Sequence, residues 1–171
     1  ALILCQKLLL AALSEHEDVG IFAPEERRVI RDHLSWTRKL RRTRTQFHGD
    51  EIDLIDFVRA NKDKLVLKPS TGLGGDDVFV GYSIPSQQWN KVVDKALEMG
   101  NWVVQEFFPP VSHLYQAGEN GCGLFQSIWG FFTFGNRYID GFLRILPTNK
   151  FSGVINCALG ATVGIFMEVD K

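Results

Sequence analysis

Cysteine is scarce in this chain. Only Cys5, Cys122 and Cys157 occur among 171 residues. They form no CxxC pair, and none stands at metal-ligand spacing from a histidine. A disulfide framework and a structural zinc site are therefore not expected; reduced, buried thiols of a cytosolic protein are. Charge of one sign is lacking as well. Lys and Arg number 19 and Asp and Glu number 20, for a net charge of −1. Global electrostatics then neither recruit nor repel nucleic acid, and a charged partner has to be met by a local patch. Long apolar runs are also missing. No stretch reaches the roughly 18 uncharged apolar residues that cross a bilayer, so no membrane partner is expected. The apolar opening, Ala1 to Leu13, is broken by Lys7, follows no basic segment and meets no small-residue cleavage motif. It reads as a buried helix. The chain starts without Met and inside that helix, which points to a piece of a longer protein.

What is present is ordinary in bulk. An apolar fraction of 45% and a charged fraction of 23% suit a soluble globular chain. At this length they support one domain or two small lobes, with a core that needs no covalent staple.

Residues 1–62 read as a helical lead-in. After the first helix, Ala23-Pro24-Glu25-Glu26 opens a second, since Pro fits the first helical position and acids suit the positive end of the dipole. The basic stretch Arg38 to Arg44 follows. Asp50 is expected to cap a third helix carrying Ile52, Ile55 and Val58 on one side. From 63 to 171 the texture changes. Leu65-Val66-Leu67, bounded by Pro69, is a strand. Ser70 to Asp77 is a glycine-rich loop, and Val78 to Tyr82 returns as a second strand. Ser86 is expected to cap an amphipathic helix whose apolar stripe is Trp89, Val92, Val93, Ala96 and Leu97, ended at Gly100. Trp102 to Phe108 is a strand stopped by Pro109-Pro110. His113 to Gly123 reads as a polar loop. Phe125 to Phe134 and Arg137 to Leu146 are strands joined at Gly135-Asn136. Phe151 to Ala158 and Thr162 to Val169 complete a mainly antiparallel sheet. Trp129, Phe131, Phe132 and Phe134 are expected in its core. This order of elements argues for an α+β fold, not a doubly wound one.

The chemistry concentrates at Leu65-Val66-Leu67-Lys68-Pro69-Ser70-Thr71-Gly72-Leu73-Gly74-Gly75-Asp76-Asp77-Val78. A lysine ending a buried strand has its stem packed and its ammonium aimed outward into a cleft. Gly72, Gly74 and Gly75 then let backbone N–H groups approach a ligand with no Cβ in the way. Such a nest with a point cation suits phosphate oxygens. The plainer alternative is a flexible hairpin tip with a snorkelling lysine. The loop is not a Walker A motif, because no Gly-Lys-Ser/Thr follows. It is not the dinucleotide fingerprint, because Asp77 stands where the third glycine belongs and a strand comes next. Ser70 and Thr71 have no histidine at a useful spacing, so neither is read as a nucleophile.

Leu67-Lys68-Pro69 leading into the glycine loop, the helix containing Trp89, and Trp102-Val103-Val104-Gln105-Glu106 resemble the ATP-grasp enzymes. More narrowly, they resemble the circularly permuted group related to glutathionylspermidine synthase. Trp36-Thr37-Arg38, Gly141-Phe142-Leu143-Arg144 and Gly153-Val154-Ile155-Asn156 are similar to further stretches of that group. The resemblance runs from about Thr37 to the end of the chain. It implies ATP between two small α+β lobes, with residues 63–171 as the nucleotide-binding region. Lys68 would contact the α- or β-phosphate, and Thr71, Gly72, Gly74 and Gly75 would belong to a lid over the phosphates. Gln105 and Glu106 would be a linker at the adenine edge, with Glu106 near N6 or the ribose. Arg38 would reach a phosphate. Arg144 would steady the γ-phosphate or an acyl phosphate. Asn156 would bind Mg²⁺, with Asp140 and Glu168 the nearest acids. The implied activity joins a small-molecule or peptide carboxylate to an amine through an acyl phosphate. Charge neutralisation and positioning dominate such chemistry, with little covalent work for the protein.

Two departures from that pattern stand in the sequence. Asp76 and Asp77 occupy loop positions where the family has a basic residue and then glycine. Val154 stands two before Asn156, where a glutamate is usual. Both favour an alternative, a non-catalytic relative acting as a nucleotide-binding or interaction module. A third reading takes Arg38 to Arg44 as an RNA-binding patch, but only Trp36 and Phe47 flank it, and interleaved aromatics are what such a surface needs. His48 and His113 read as surface residues. Arg144, in an apolar strand, needs an anionic partner if buried. Self-association, or contact with the remainder of a parent chain, is left open by the sequence.

Overall fold

A computed structural model describes residues 6–72, 74–116, 121–135 and 137–164. The chain divides into two compact units, Ala1–Phe108 and Pro109–Lys171. Both are built on antiparallel sheet, and the helices described lie in the first, so the fold is α+β. No helix among the described residues is long and apolar enough to cross a membrane.

In the first unit the helices are α1 (Lys7–Glu15), α2 (Pro24–His33), α3 (Leu54–Ala60) and α4 (Ser86–Met99). The strands are β1 (Thr37–Lys39), β2 (Arg44–Phe47), β3 (Asp50–Asp53), β4 (Leu65–Pro69), β5 (Phe79–Val80) and β6 (Trp102–Glu106). The main sheet has the order β1-β6-β4-β5 with every pair antiparallel. Successive residues of a strand point to opposite faces. Leu65, Leu67, Trp102 and Val104 therefore join Leu54, Val58, Trp89 and Val93 in one core. The buried Trp89 donates its indole N–H to the Val58 carbonyl at 2.9 Å, which ties α4 to α3. The other face carries Thr37, Gln105 and Val66 in register, with Lys68 one step further along. Helix α1 packs against β1 and β6.

The residues expected to form a helical lead-in also supply β1 and the β2–β3 hairpin. His48 and Gly49 both take positive φ, 50° and 96°, the conformation of a tight hairpin turn. Arg44 to Phe47 thereby pairs with Asp50 to Asp53. Asp50 is thus a strand residue. Asp53 caps α3 instead, accepting from the N–H groups of Ile55 and Asp56 at 3.0 and 3.1 Å. Helix α2 starts at Pro24 as expected, and the Glu26 carboxylate accepts from the Ala23 N–H at 2.8 Å. Helix α4 is preceded by Pro85 with no side-chain cap, so Ser86 is its first residue and not its cap. Gly100, at φ 68°, ends it.

The second unit contains β7 (Ser112–Gln116), β8 (Cys122–Phe134), β9 (Arg137–Pro147) and β10 (Thr162–Gly164), in the order β10-β9-β8-β7. His113 to Gln116 is strand where a loop was expected, because β7 pairs with Cys122 to Gln126 of β8. Phe151 to Ala158 is not a strand. Short 3-10 turns lie at Thr148–Lys150 and Cys157–Leu159, and Ile155 packs with Leu146, Ala161 and Phe151. The last expected strand is described only as β10; its remainder, with Glu168, lies outside the described residues, as does Asn136 of the expected turn. The aromatic set is exposed, not core: Trp129, Phe131, Phe132 and Phe134 retain 45, 64, 53 and 79% of their accessible surface. Among the described residues β7 pairs with β8 as far as Gln126, and β10 pairs with β9 over Leu143–Ile145.

Candidate functional site

Lys68 stands near the end of β4 and is half-buried. Its Nζ donates to Gln105 Oε1 at 2.6 Å, and Gln105 Nε2 donates to Thr37 Oγ1 at 3.0 Å. Three strands thus contribute one polar chain that fixes the ammonium. Burial lowers the pKa of Lys68, and the charge of Lys7 lowers it further. No carboxylate pairs with Lys68 among the described residues.

The glycine loop begins at a pinned residue. Buried Ser70 donates its N–H to the Asn101 carbonyl at 2.8 Å and accepts from the Lys7 N–H at 2.9 Å. Gly72, Gly74 and Gly75 then take φ of 151°, 70° and 87°, and Asp77 takes 55°. These are backbone states that side chains with a Cβ rarely adopt, so the glycines are required by conformation. Thr71, Gly72 and Gly74 are exposed, as are Asp76 and Asp77. Leu73 lies outside the described residues.

Gln105 and Glu106 are consecutive in β6 and face opposite ways. Gln105 serves Lys68. Glu106 receives His48 instead, with Nε2 at 3.1 Å from each carboxylate oxygen. His48 is exposed, as expected, but this pairing was not visible in the sequence, because the hairpin turn that presents His48 was read as the approach to a helix.

Arg38 is only 7% exposed and is taken up by the protein itself. Its guanidinium donates to Thr45 Oγ1 (2.8 Å), Ser14 Oγ (2.9 Å), the Thr37 carbonyl (2.9 Å) and the Gln46 carbonyl (3.3 Å). It also lies over the Trp36 ring at 5.0 Å. Desolvation lowers its pKa, and Glu15 and Glu17 act against that. Four of its five N–H donors are spent on holding α1, β1 and β2 together. Arg38 is held in place by acceptors of the protein itself.

Two cavities share Trp36 in their lining, and Arg38 lines the first of them. One, of about 240 Å³, is lined by residues that include Ser14, Glu17, Arg31, Trp36 and Arg38. The other, of about 340 Å³, includes Leu34, Ser35, His48, Glu106 and Phe108. Their walls mix both signs of charge, which selects no one class of ligand.

No protein-family model matches this chain, and no curated protein matches it. The residues themselves carry the functional argument.

The remaining expected site residues belong to the second unit. Arg144 lies on β9 opposite Ile128 and Val163, with its guanidinium 5.1 Å from the Phe142 ring. Its Nε is buried and makes no hydrogen bond, and no acid pairs with it among the described residues. Asp140 is exposed opposite Phe132 and accepts from the Gly141 N–H at 2.7 Å. Asn156 Oδ1 accepts from the Ala158 N–H at 2.9 Å, capping the 3-10 turn that follows. Mg²⁺ calls for several hard oxygen ligands in one place. No group of three or more His, Cys, Asp or Glu side chains able to hold a metal occurs among the described residues. Asn156 and Asp140 each hold a nearby backbone N–H.

Proposed function

We propose that this chain binds ATP through Lys68 and the loop from Thr71 to Gly75, as the nucleotide-binding part of a carboxylate–amine ligase. One observation carries the reading. The Lys68 ammonium is held half-buried near the end of the strand that leads into the glycines of positive φ, with an amide oxygen as its bonded partner. A desolvated cation in that position gains most from an anion with several oxygens, and a phosphate chain is such an anion. Gln105 and Thr37 orient the ammonium, so little reorganisation is needed when the ligand arrives. The exposed loop offers backbone N–H groups close by.

The reaction class comes from the resemblance to ATP-grasp enzymes of the circularly permuted group. A carboxylate oxygen would attack the γ-phosphorus, breaking its bond to the β–γ bridging oxygen and releasing ADP, to give an acyl phosphate; an amine would then attack the acyl carbon, losing a proton and expelling inorganic phosphate, to give an amide. The substrates would be a small-molecule or peptide carboxylate and an amine, in a cytoplasmic setting. Lys68 contributes charge neutralisation and positioning.

A second reading has its own support. Asp76 and Asp77 put two carboxylates into the loop, and carboxylates repel a triphosphate. Asn156 spends its side-chain oxygen on a backbone cap. A non-catalytic relative that keeps a nucleotide site would look like this. Nucleic acid has less support. Arg38 is buried, Arg41 pairs with Glu15 at 2.9 Å, and Arg44 pairs with Glu51, so Arg38 to Arg44 offers no continuous basic face.

The test is calorimetric titration of ATP, with and without Mg²⁺, into the chain and its Lys68→Ala variant. Binding by the parent chain and its loss in the variant is the expected outcome. Turnover of ATP only on addition of a carboxylate and an amine would then favour the ligase, and binding without turnover the non-catalytic relative. Absence of ATP binding by the parent chain would end both readings.

A further inference from the structure

In the second unit, one face of the sheet sets a pair of opposite charges about an apolar centre. Residues paired across strands, and residues two apart along a strand, share a face. Ile128, Gly130 and Phe132 of β8 pair with Arg144, Phe142 and Asp140 of β9, so these six share one face. Leu146, the next β9 residue on that face, packs with Ile155 and Phe151. Further along, Ile128, Phe132 and Asp140 are exposed. The Phe142 ring lies against Gly130, where an added Cβ would collide with it. It stacks on Phe132 at 5.4 Å, and the Arg144 guanidinium lies 5.1 Å from it.

Neither charge on this face is answered within the chain. Among the described residues Arg144 forms no ion pair, and its buried Nε makes no hydrogen bond. Asp140 forms no ion pair either, and the bond it accepts comes from a neutral group, the Gly141 N–H. Four residues of strand separate the two by roughly 13 Å, too far for them to pair with each other. A guanidinium and a carboxylate with free bonding positions gain most from one another.

A two-fold rotation that lays one such face on another brings them together. With the axis at Phe142 and across the strands, β9 of one copy runs antiparallel to β9 of the second. Phe142 then meets Phe142, Phe132 meets Ile128, and each Asp140 stands opposite the Arg144 of the other copy. Self-complementarity of this kind is what a two-fold interface requires. Sheets packed face to face keep their strand directions within about 30° of one another, which this arrangement satisfies.

We propose that the chain forms a two-fold dimer through this face, with Asp140 of each copy paired to Arg144 of the other. The inference is independent of the reading of Lys68. It gives Arg144 a protein carboxylate as its anion. A second copy answers both charges, whereas a purely acidic partner would oppose Asp140. Association depends on concentration, so the dilute chain keeps the face open.

Sedimentation equilibrium of the parent chain, of Asp140→Arg, of Arg144→Asp and of an equimolar mixture of the two variants tests this. The parent is expected to pass from monomer to dimer between micromolar and millimolar concentration. Each variant alone sets like charges opposite one another and should dimerise at least about tenfold more weakly. The mixture restores opposite charges at both pairs and should give a heterodimer of parent-like affinity, which misfolding of either variant does not produce. If Arg144→Asp does not fold, Asp140→Arg and Asp140→Glu carry the test at an exposed position, with the dimer lost in the first and kept in the second. A parent chain that stays monomeric at every concentration would overturn the proposal and leave the face to a different partner. A dimer unchanged by Asp140→Arg would place the contact on another surface and overturn it too, as would two folded variants that do not associate when mixed.

Discussion

The two four-stranded antiparallel sheets of this chain treat similar residues differently. In the first, Leu65, Val66 and Leu67 are buried in succession, at 0, 3 and 0% exposure. Alternating residues point to opposite faces, so both faces of that sheet are covered. Helices α1 and α4 both contact β6. In the second, burial fades along the strands. Leu143, Ile145 and Leu146 are buried, while Phe131, Phe132 and Phe134 on the paired strand are not. The hydrophobic pattern does not separate the two cases. Among the described residues, what the first sheet has is helices packed on it, and a second layer is what turns an apolar face into a core. Two buried cations make the same point on a smaller scale. Arg38 has four internal acceptors, whereas Lys68 has a single amide oxygen.

The largest effect should come from the well-covered sheet. Trp89→Ala should cost about 3–5 kcal/mol in urea unfolding, because the side chain is fully buried and its N–H is bonded. A loss below about 1 kcal/mol would erase the contrast between the sheets.

Arg38→Met should cost about 2–3 kcal/mol, since it strips acceptors on three elements of their donor. Lys68→Met should change stability at neutral pH by less than about 1 kcal/mol, because the methionine loses one amide contact and sheds a desolvated charge. Comparable losses in the two variants would contradict the division into a structural and a ligand-facing cation.

The pH dependence sharpens that division. Burial and Lys7 depress the folded-state pKa of Lys68 below its usual 10.5. Between the lowered value and 10.5 the unfolded chain binds more protons than the folded one, so stability should rise with pH through that window. The gain should be absent in Lys68→Met when the two proteins are compared by denaturant titration across alkaline pH. A fall in their difference over the same window would refute the desolvated ammonium.

The smallest change is expected at the bare end of the second sheet. Phe131→Ser and Phe132→Ser should each alter stability by no more than about 0.5 kcal/mol, while reducing binding of a hydrophobic dye. A core-sized loss, about 3 kcal/mol or more, would place those rings under cover.

Much of the fold was legible. The apolar stripe of α4 and the Pro24 start of α2 are local signals, set by helix periodicity and by proline's missing N–H. The run before Pro69 and the hairpin about Gly135 are read in the same way. Four short strands were not legible, for one shared reason. Thr37–Lys39, Arg44–Phe47, Asp50–Asp53 and Ser112–Gln116 are mostly polar or charged, and they become strands through their pairing partners. At the site, Lys68 and its glycine loop were visible because they are contiguous. Lys7, and the pairing of His48 with Glu106, were invisible because each depends on contacts across a long stretch of sequence.

The sequence by itself determined where helices and hydrophobic strands form, and where a glycine-rich backbone with positive φ sits beside a lysine. These follow from periodicity and from the absence of a Cβ, which are properties of neighbouring residues. Tertiary structure alone decided which cation is spent and which is left. Whether a desolvated charge is satisfied depends on acceptors brought from other elements: among the described residues Ser14, Thr45 and Gln46 close around Arg38, while Gln105 alone accepts from Lys68.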